Sequence, residues 1–280
     1  MGKTYCKNKV FGHPCFGDEA HFKYGRIHLP VAPRCNIKCN YCVRRHDCAN
    51  ENRPGVTTKI ISPMEALVKV KEAIEQEPRI KVAAVAGPGD PLSNEATFET
   101  LDLVNKEFPN LRKCLSTNGL LLSDRLEDII SCGVSTLTIT INAVDPSIGK
   151  EIYSYVIYKD ELYKGEEAAE ILINNQLLGL KEASEAGIAV KVNTVLIPSI
   201  NKNHVIEIAK EVQKRGAYIM NVMPLIPMGK FSDLSAPTVE ELEEAQKNCE
   251  KFVKQFHNCR QCRADAVGVP GEEQKRVCLL

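Results

Sequence analysis

Six short stretches of the chain are apolar or alternate apolar with polar positions: 26–31, 81–87, 112–118, 135–142, 189–196 and 217–223. Each reads as a strand. Between them, apolar residues recur three and four positions apart. The first such segment starts at Pro63 and sets Ala66, Leu67, Val70, Ala73 and Ile74 on one face, as an amphipathic helix does. Helical patterns follow over 94–108, 123–133, 166–187, 203–216 and 238–256, and several stop at glycine, the usual helix C-terminus. Strand and helix in regular succession predict an α/β fold on a parallel sheet.

Parity within the strands says more, because successive side chains point to opposite faces. Ile27, Leu29 and Val31 share one face and leave His28 on the other. Cys114, Ser116 and Asn118 share a face, and Thr136, Thr138, Thr140 and Asn142 oppose Leu137, Ile139 and Ile141. A closed eight-stranded barrel fills its interior with branched apolar side chains. Six units with a polar inner face instead predict a (β/α)6 partial TIM barrel, open enough to hold a cofactor. The barrel is expected over 25–235. An N-terminal extension, 1–24, carries Cys6, His13, Cys15 and His21, and a C-terminal helix and tail, 236–280, carries Cys259 and Cys262. All three parts are expected to form one compact domain.

Composition narrows the chemistry. Lys+Arg and Asp+Glu both number 36 in 280 residues, so no global field draws the chain to nucleic acid or an anionic membrane. No apolar run approaches the roughly 18 residues of a membrane span, and no signal peptide is evident. A cytoplasmic location is the expectation. Twelve cysteines in a core-rich chain of that kind point to metal or redox ligands rather than disulfides. Cys132 and Cys249 lie in helical patterns and read as small buried hydrophobes. His13, His21, His46, His204 and His257 read as surface or supporting residues.

The densest cluster is HLPVAPRCNIKCNYCVRRHDC, 28–48. Cys35, Cys39 and Cys42 form C-x3-C-x2-C directly after the first strand, with aromatic Tyr41 before the last cysteine. Three thiolates on a [4Fe–4S] cluster leave one iron open. This motif in this place resembles the radical S-adenosylmethionine (SAM) superfamily. The resemblance implies a partial barrel in which the open iron chelates SAM and an electron cleaves it to a 5′-deoxyadenosyl radical. It also implies a SAM cradle: the glycine-rich turn Gly87, Pro88, Gly89 and Asp90, then Ser116, Thr117 and Asn118, then Asn142 and Asn193. Gly87 and Gly89 would let the backbone approach the ligand, and Asp90 would accept from its ammonium. An aspartate there departs from the commoner glutamate.

Residues 28–56, STNG (116–119) and the terminal CRQCRADAVG (259–268) together resemble the NifB family. Its members build the iron–sulfur–carbide core of the nitrogenase cofactor, and this chain would be a form lacking the NifX-like domain. The resemblance implies two further [4Fe–4S] clusters as substrates, K1 and K2. His28, Cys48 and Cys114 are assigned to K1, and Cys15, Cys259 and Cys262 to K2, with His13 or His21 as alternatives to His28. It implies as partners an iron–sulfur cluster donor, a low-potential electron donor such as ferredoxin or flavodoxin, and a carrier or assembly scaffold that accepts the product. Two rivals remain open: another multi-cluster radical SAM enzyme such as a peptide-modifying maturase, and a non-catalytic iron–sulfur carrier or zinc-stabilised protein.

Overall fold

A computed structural model describes residues 10–43, 48, 59–259 and 262–272. In chain order the strands are β1 (Gly25–His28), β2 (Ile37–Cys39), β3 (Ile80–Val85), β4 (Arg112–Thr117), β5 (Val134–Thr140), β6 (Tyr153–Tyr158), β7 (Glu161–Tyr163), β8 (Ala189–Leu196), β9 (Ile219–Pro224) and β10 (Val267–Gly268). The helices are α1 (Asp18–Lys23), α2 (Pro63–Gln76), α3 (Glu95–Glu107), α4 (Leu126–Ser131), α5 (Pro146–Ile152), α6 (Gly165–Glu185), α7 (Val205–Lys214) and α8 (Val239–Glu250). Six strands pair in parallel in the order β1-β3-β4-β5-β8-β9, and β10 adds antiparallel to β1. The sheet curls into a half-barrel. All six strands fall where the alternation placed them.

The two faces of this sheet divide as parity requires. Ile27, Leu29, Leu115, Leu137, Ile139, Val190 and Val192 point outward into one core with Val70, Leu101, Val104, Leu180 and Ile208 of the helices. Burying each Leu or Ile there stabilises the fold by about 1.5–3 kcal/mol. The helices are started by local chemistry. Ser62 and Glu65 form a capping box at α2 and Thr238 and Glu241 another at α8, each satisfying backbone donors that a helix leaves open. Cys132 and Cys249 lie in the core as expected.

Inward-facing residues form layers. His28, Ala84, Cys114 and Thr136 are in register across β1, β3, β4 and β5. Ser116, Thr138 and Lys191 form the next layer up, and Thr140, Asn193 and Asn221 the one above.

Two features differ from expectation. The helical pattern over 238–256 ends as a helix at Glu250. From there the chain pairs with the start of β9: Met220 N–H donates to Lys254 O, and Phe256 N–H to Met220 O. Pairing with an open sheet edge overrides the helical period. The tail then reaches β1 through β10, so it spans between the two edge strands of the half-barrel. Second, β2, β6 and β7 form a separate antiparallel sheet. Its hairpin turns at Lys159 and Asp160, with φ of 51° and 65°, the geometry of a two-residue turn with both positions left-handed.

Candidate active site

The small sheet explains how the cysteine loop is held. Cys39 ends β2 opposite Tyr153 of β6. Asn40 N–H donates to Ile152 O, and its side chain bonds Glu151 O and Ser154 Oγ. Lys38 Nζ donates to the Cys42 carbonyl. Cys39 is buried, while Cys35 and Cys42 are half-buried. From the barrel, Asn118 Nδ2 reaches Cys35 Sγ at 3.8 Å and Asn36 Oδ1 at 2.7 Å. The C-terminal end of β4 is thus tied to the loop.

Most of the expected cradle is bonded within the protein. Asp90 accepts from Leu92 N, from Thr117 Oγ1 at 2.9 Å and from Asn118 N at 2.6 Å. It fixes the turn that presents Asn118. Asn142 donates to Tyr41 Oη at 2.7 Å and accepts from Val195 N at 2.8 Å, so both ends of its amide are engaged. Asn193 Oδ1 accepts from Asn221 Nδ2 at 3.0 Å. Gly89 also has a packing role. A Cβ there would lie 2.2 Å from Arg34 O, so the missing side chain admits the 33–34 backbone. Gly87 is buried, and Pro88 and Ser116 keep partial exposure. Asn36, Asn94 and Gln176 were not anticipated. Asn94 bonds Arg34 O and Asp90 O, and Gln176 Nε2 bridges Asn118 O and Thr140 O at the strand ends.

Below this end of the barrel lies a second concentration of ligand-type residues. His13, Cys15, Arg26, His28, Ala84, Cys114, Ser116, Thr138, Lys191, Cys259 and Cys262 line one pocket. Cys15 comes from the N-terminal extension and Cys259 and Cys262 from the tail. The two extensions pack together: Val10, Phe16 and Phe256 form one apolar cluster with Ala189 and Ile219, and Cys15 and Cys259 lie against it. His28 and Cys114 stand level on either side of Ala84, two strands and so roughly 10 Å apart at the backbone. None of the described cysteines is in a disulfide. Among the described residues no three such side chains converge on a single ion; the ligands ring a space instead.

The structure places the expected residues unevenly. Five of the six assigned to K1 and K2 meet in this pocket, but Cys48 is not among its lining residues. Cys48 lies within electrostatic reach of Tyr41, whose phenol is pushed well above its ordinary pKa by burial first and then by the charges of Cys39, Tyr153 and Cys48. Nor does the pocket separate the two assigned sets, since Cys15 is in electrostatic reach of both Cys262 and Cys114. His13, expected as a surface or supporting residue and as an alternative to His28, is buried and lines the pocket. His21 is buried too, against Phe22 and Phe256, and does not line it. His204 accepts from Val144 N, His257 is exposed, and His46 lies outside the described residues.

Residues 29–212 match the radical SAM superfamily. The chain is 50% identical over 264 residues to the FeMo cofactor biosynthesis protein NifB of Methanocaldococcus infernus, covering 94% of this chain and 87% of that protein. The chain belongs to the NifB family of radical SAM proteins. The NifB of Klebsiella pneumoniae is 41% identical, and the match covers 96% of this chain but 59% of that longer protein. In fold the chain is similar to SuiB of Streptococcus suis, with a TM-score of 0.61 at 12% identity over 84% of this chain and 50% of that one. It is also similar to anSMEcpe, with a TM-score of 0.55 at 17% identity over 82% and 63%. Among the described residues no helix is long and apolar enough to cross a membrane.

Membership of this family implies a SAM-binding [4Fe–4S] cluster, and the donor set fits one. Three thiols lie on one pinned loop, with an amide N–H aimed at a sulfur, a contact that tunes such clusters. Close packing supports the loop from behind. Gly229 has φ of +59°, and a Cβ there would lie 2.7 Å from Asn40 O and 3.1 Å from Cys42 O. Gly229→Ala is therefore expected to destabilise the NifB-family fold by about 1–3 kcal/mol and to lower iron uptake on this loop. A thermal melt and an iron assay check this; no change in either would contradict it.

The lumen pocket has its own electrostatics. Arg26 and Lys191 are buried in it, and Arg26 Nη2 donates to Cys262 Sγ at 2.7 Å. Two cations facing four thiols favour thiolates and an anionic occupant. Burial opposes them and pushes the Cys15 thiol up to about 12, so any metal binding there must displace a proton. Burial, helped by Arg26, holds His28 down to about 3, which leaves a neutral imidazole, the form that binds metal.

Proposed function

We propose that this protein fuses two [4Fe–4S] clusters, with insertion of a SAM-derived carbide and one sulfur, into an [8Fe–9S–C] precursor of the nitrogenase cofactor. The observation that carries this reading is the lumen pocket: four thiols and two imidazoles sit directly below the Cys35–Cys42 loop, inside the same barrel. The names of the relatives favour it as well. When bound, the cluster held by Cys35, Cys39 and Cys42 supplies SAM coordination and the electron that cleaves SAM. The chain's own residues then have distinct tasks. Asp90 and Gln176 hold the strand ends that face SAM, and Asn118 orients Cys35. Cys15, Cys114, Cys259, Cys262 and His28 would retain substrate clusters, with Cys48 the sixth ligand that the family resemblance implies. Arg26 and Lys191 balance the negative charge.

His28 suits a site whose product must leave. An imidazole bound to iron through Nε2 is more easily displaced than a thiolate. Because each substrate cluster is consumed, the reading requires a cluster donor, a ferredoxin- or flavodoxin-like electron donor, and a carrier or scaffold for the product.

The test is anaerobic incubation of the reduced, cluster-loaded protein with SAM. Methyl transfer to a cluster sulfide yields S-adenosylhomocysteine, and hydrogen abstraction from that methyl yields 5′-deoxyadenosine. Both products are expected. 5′-Deoxyadenosine alone would leave an ordinary radical SAM enzyme and end this reading.

A further inference from the structure

The two pocket histidines are held by partners of opposite kind. His28 Nδ1 lies 2.9 Å from the Arg263 carbonyl. A carbonyl only accepts, so His28 carries its proton on Nδ1 and presents a bare Nε2, the arrangement seen for metal-bound imidazoles. His13 Nδ1 instead receives the backbone N–H of Cys15 at 3.1 Å. An N–H only donates, so His13 Nδ1 is bare and its proton is on Nε2. That Nε2 is buried and has no hydrogen-bond partner in the protein. The ring itself is only 2% exposed, lines the pocket and is fixed edge-on against Phe16 at 4.5 Å. A buried N–H with no acceptor destabilises the fold, and an occupant bearing acceptors would relieve that.

We propose that His13 is a sulfur-directed hydrogen-bond donor of the pocket: its Nε2–H donates to a sulfide or thiolate sulfur of the bound substrate cluster. This rests on the function proposed above. His13 is then a positioning residue rather than an iron ligand, because the nitrogen it offers carries a proton where a ligand needs a lone pair. The same ring ties down Cys15 through its backbone, so one residue orients a thiolate ligand and a cluster face together. Hydrogen bonds to sulfur make a cluster easier to reduce. His13 therefore raises the reduction potential of the cluster it touches.

The test uses the full chain with Cys35, Cys39 and Cys42 replaced by alanine, so that any iron–sulfur signal comes from the substrate sites alone. In that background His13→Phe keeps the ring and removes the donor, and His13→Gln returns an N–H near the Nε2 position. His13→Phe is expected to take up as much iron and sulfide as the parent, with its midpoint potential shifted negative. His13→Gln is expected to move the potential back toward the parent value. If His13→Phe misfolds, His13→Met carries the same expectation. An unchanged midpoint in the variant lacking the donor overturns the inference while leaving the proposed function standing. Loss of iron that His13→Gln does not restore, together with loss of a nitrogen coupling in pulsed EPR, makes His13 a ligand and also overturns it. If the background chain itself takes up no iron or sulfide, the lumen holds no cluster, and the proposed function falls together with this inference.

Discussion

Cys39→Ala is expected to reduce SAM cleavage to background while leaving the lumen sites loaded. Cys39 is the buried member of the loop triad and sits at the β2–β6 pairing, where the smaller alanine keeps the backbone bonds and removes only the sulfur. With three of three clusters in place the protein should bind about twelve irons, and the variant about eight. Iron and sulfide assays after anaerobic reconstitution, with chromatography of 5′-deoxyadenosine, check both halves. Undiminished 5′-deoxyadenosine would mean that the Cys35–Cys42 loop does not hold the reacting group. A loss of all iron would mean that the loop and the pocket are not separate sites.

Cys114→Ala should give the complementary result. Cys114 faces the lumen beside Val82 and Ala84, at the same level as His28. Its loss is expected to remove about four irons and to abolish S-adenosylhomocysteine formation coupled to cluster fusion. SAM cleavage to 5′-deoxyadenosine persists, uncoupled, because the loop, Asp90 and Asn118 are untouched. A variant that retains all its iron and both products would remove Cys114 from the substrate site. Cys39→Ala and Cys114→Ala thus distinguish a radical-generating centre from a substrate site only if the two lie apart, as the geometry has them.

The six strands and their inward parity were legible because a curled sheet with an apolar outside and a polar lumen imposes a two-residue period. That rule found His28, Cys114 and Thr138. Applied consistently it also contains Arg26, in phase with His28, and Lys191, in phase with Asn193, the two buried cations left unremarked. A net charge of zero conceals a locally positive interior. The small sheet was harder to see. Tyr153–Tyr158 is rich in aromatic and branched residues, but Lys159–Asp160 lacks the glycine that usually marks such a turn. Segment 251–256 carried a helical period and became an edge partner of β9, a tertiary effect that local pattern does not encode. The burial of His13 follows from how the N-terminal extension packs on Ala189, Ile219 and Phe256, which no periodicity reports. Asn142 shows the opposite limit: its strand-end position was right, but its amide serves Tyr41 and Val195.

The central claim is that carbon from SAM ends inside a cluster assembled in the lumen pocket. Its most direct test is to supply SAM labelled with carbon-13 at the methyl group to the reduced, fully loaded protein and record the EPR hyperfine spectrum of the protein-bound cluster. The account predicts a carbon-13 coupling in the product cluster that is absent from Cys114→Ala. A label recovered wholly in small molecules, with no coupling to iron in the intact protein, would contradict it.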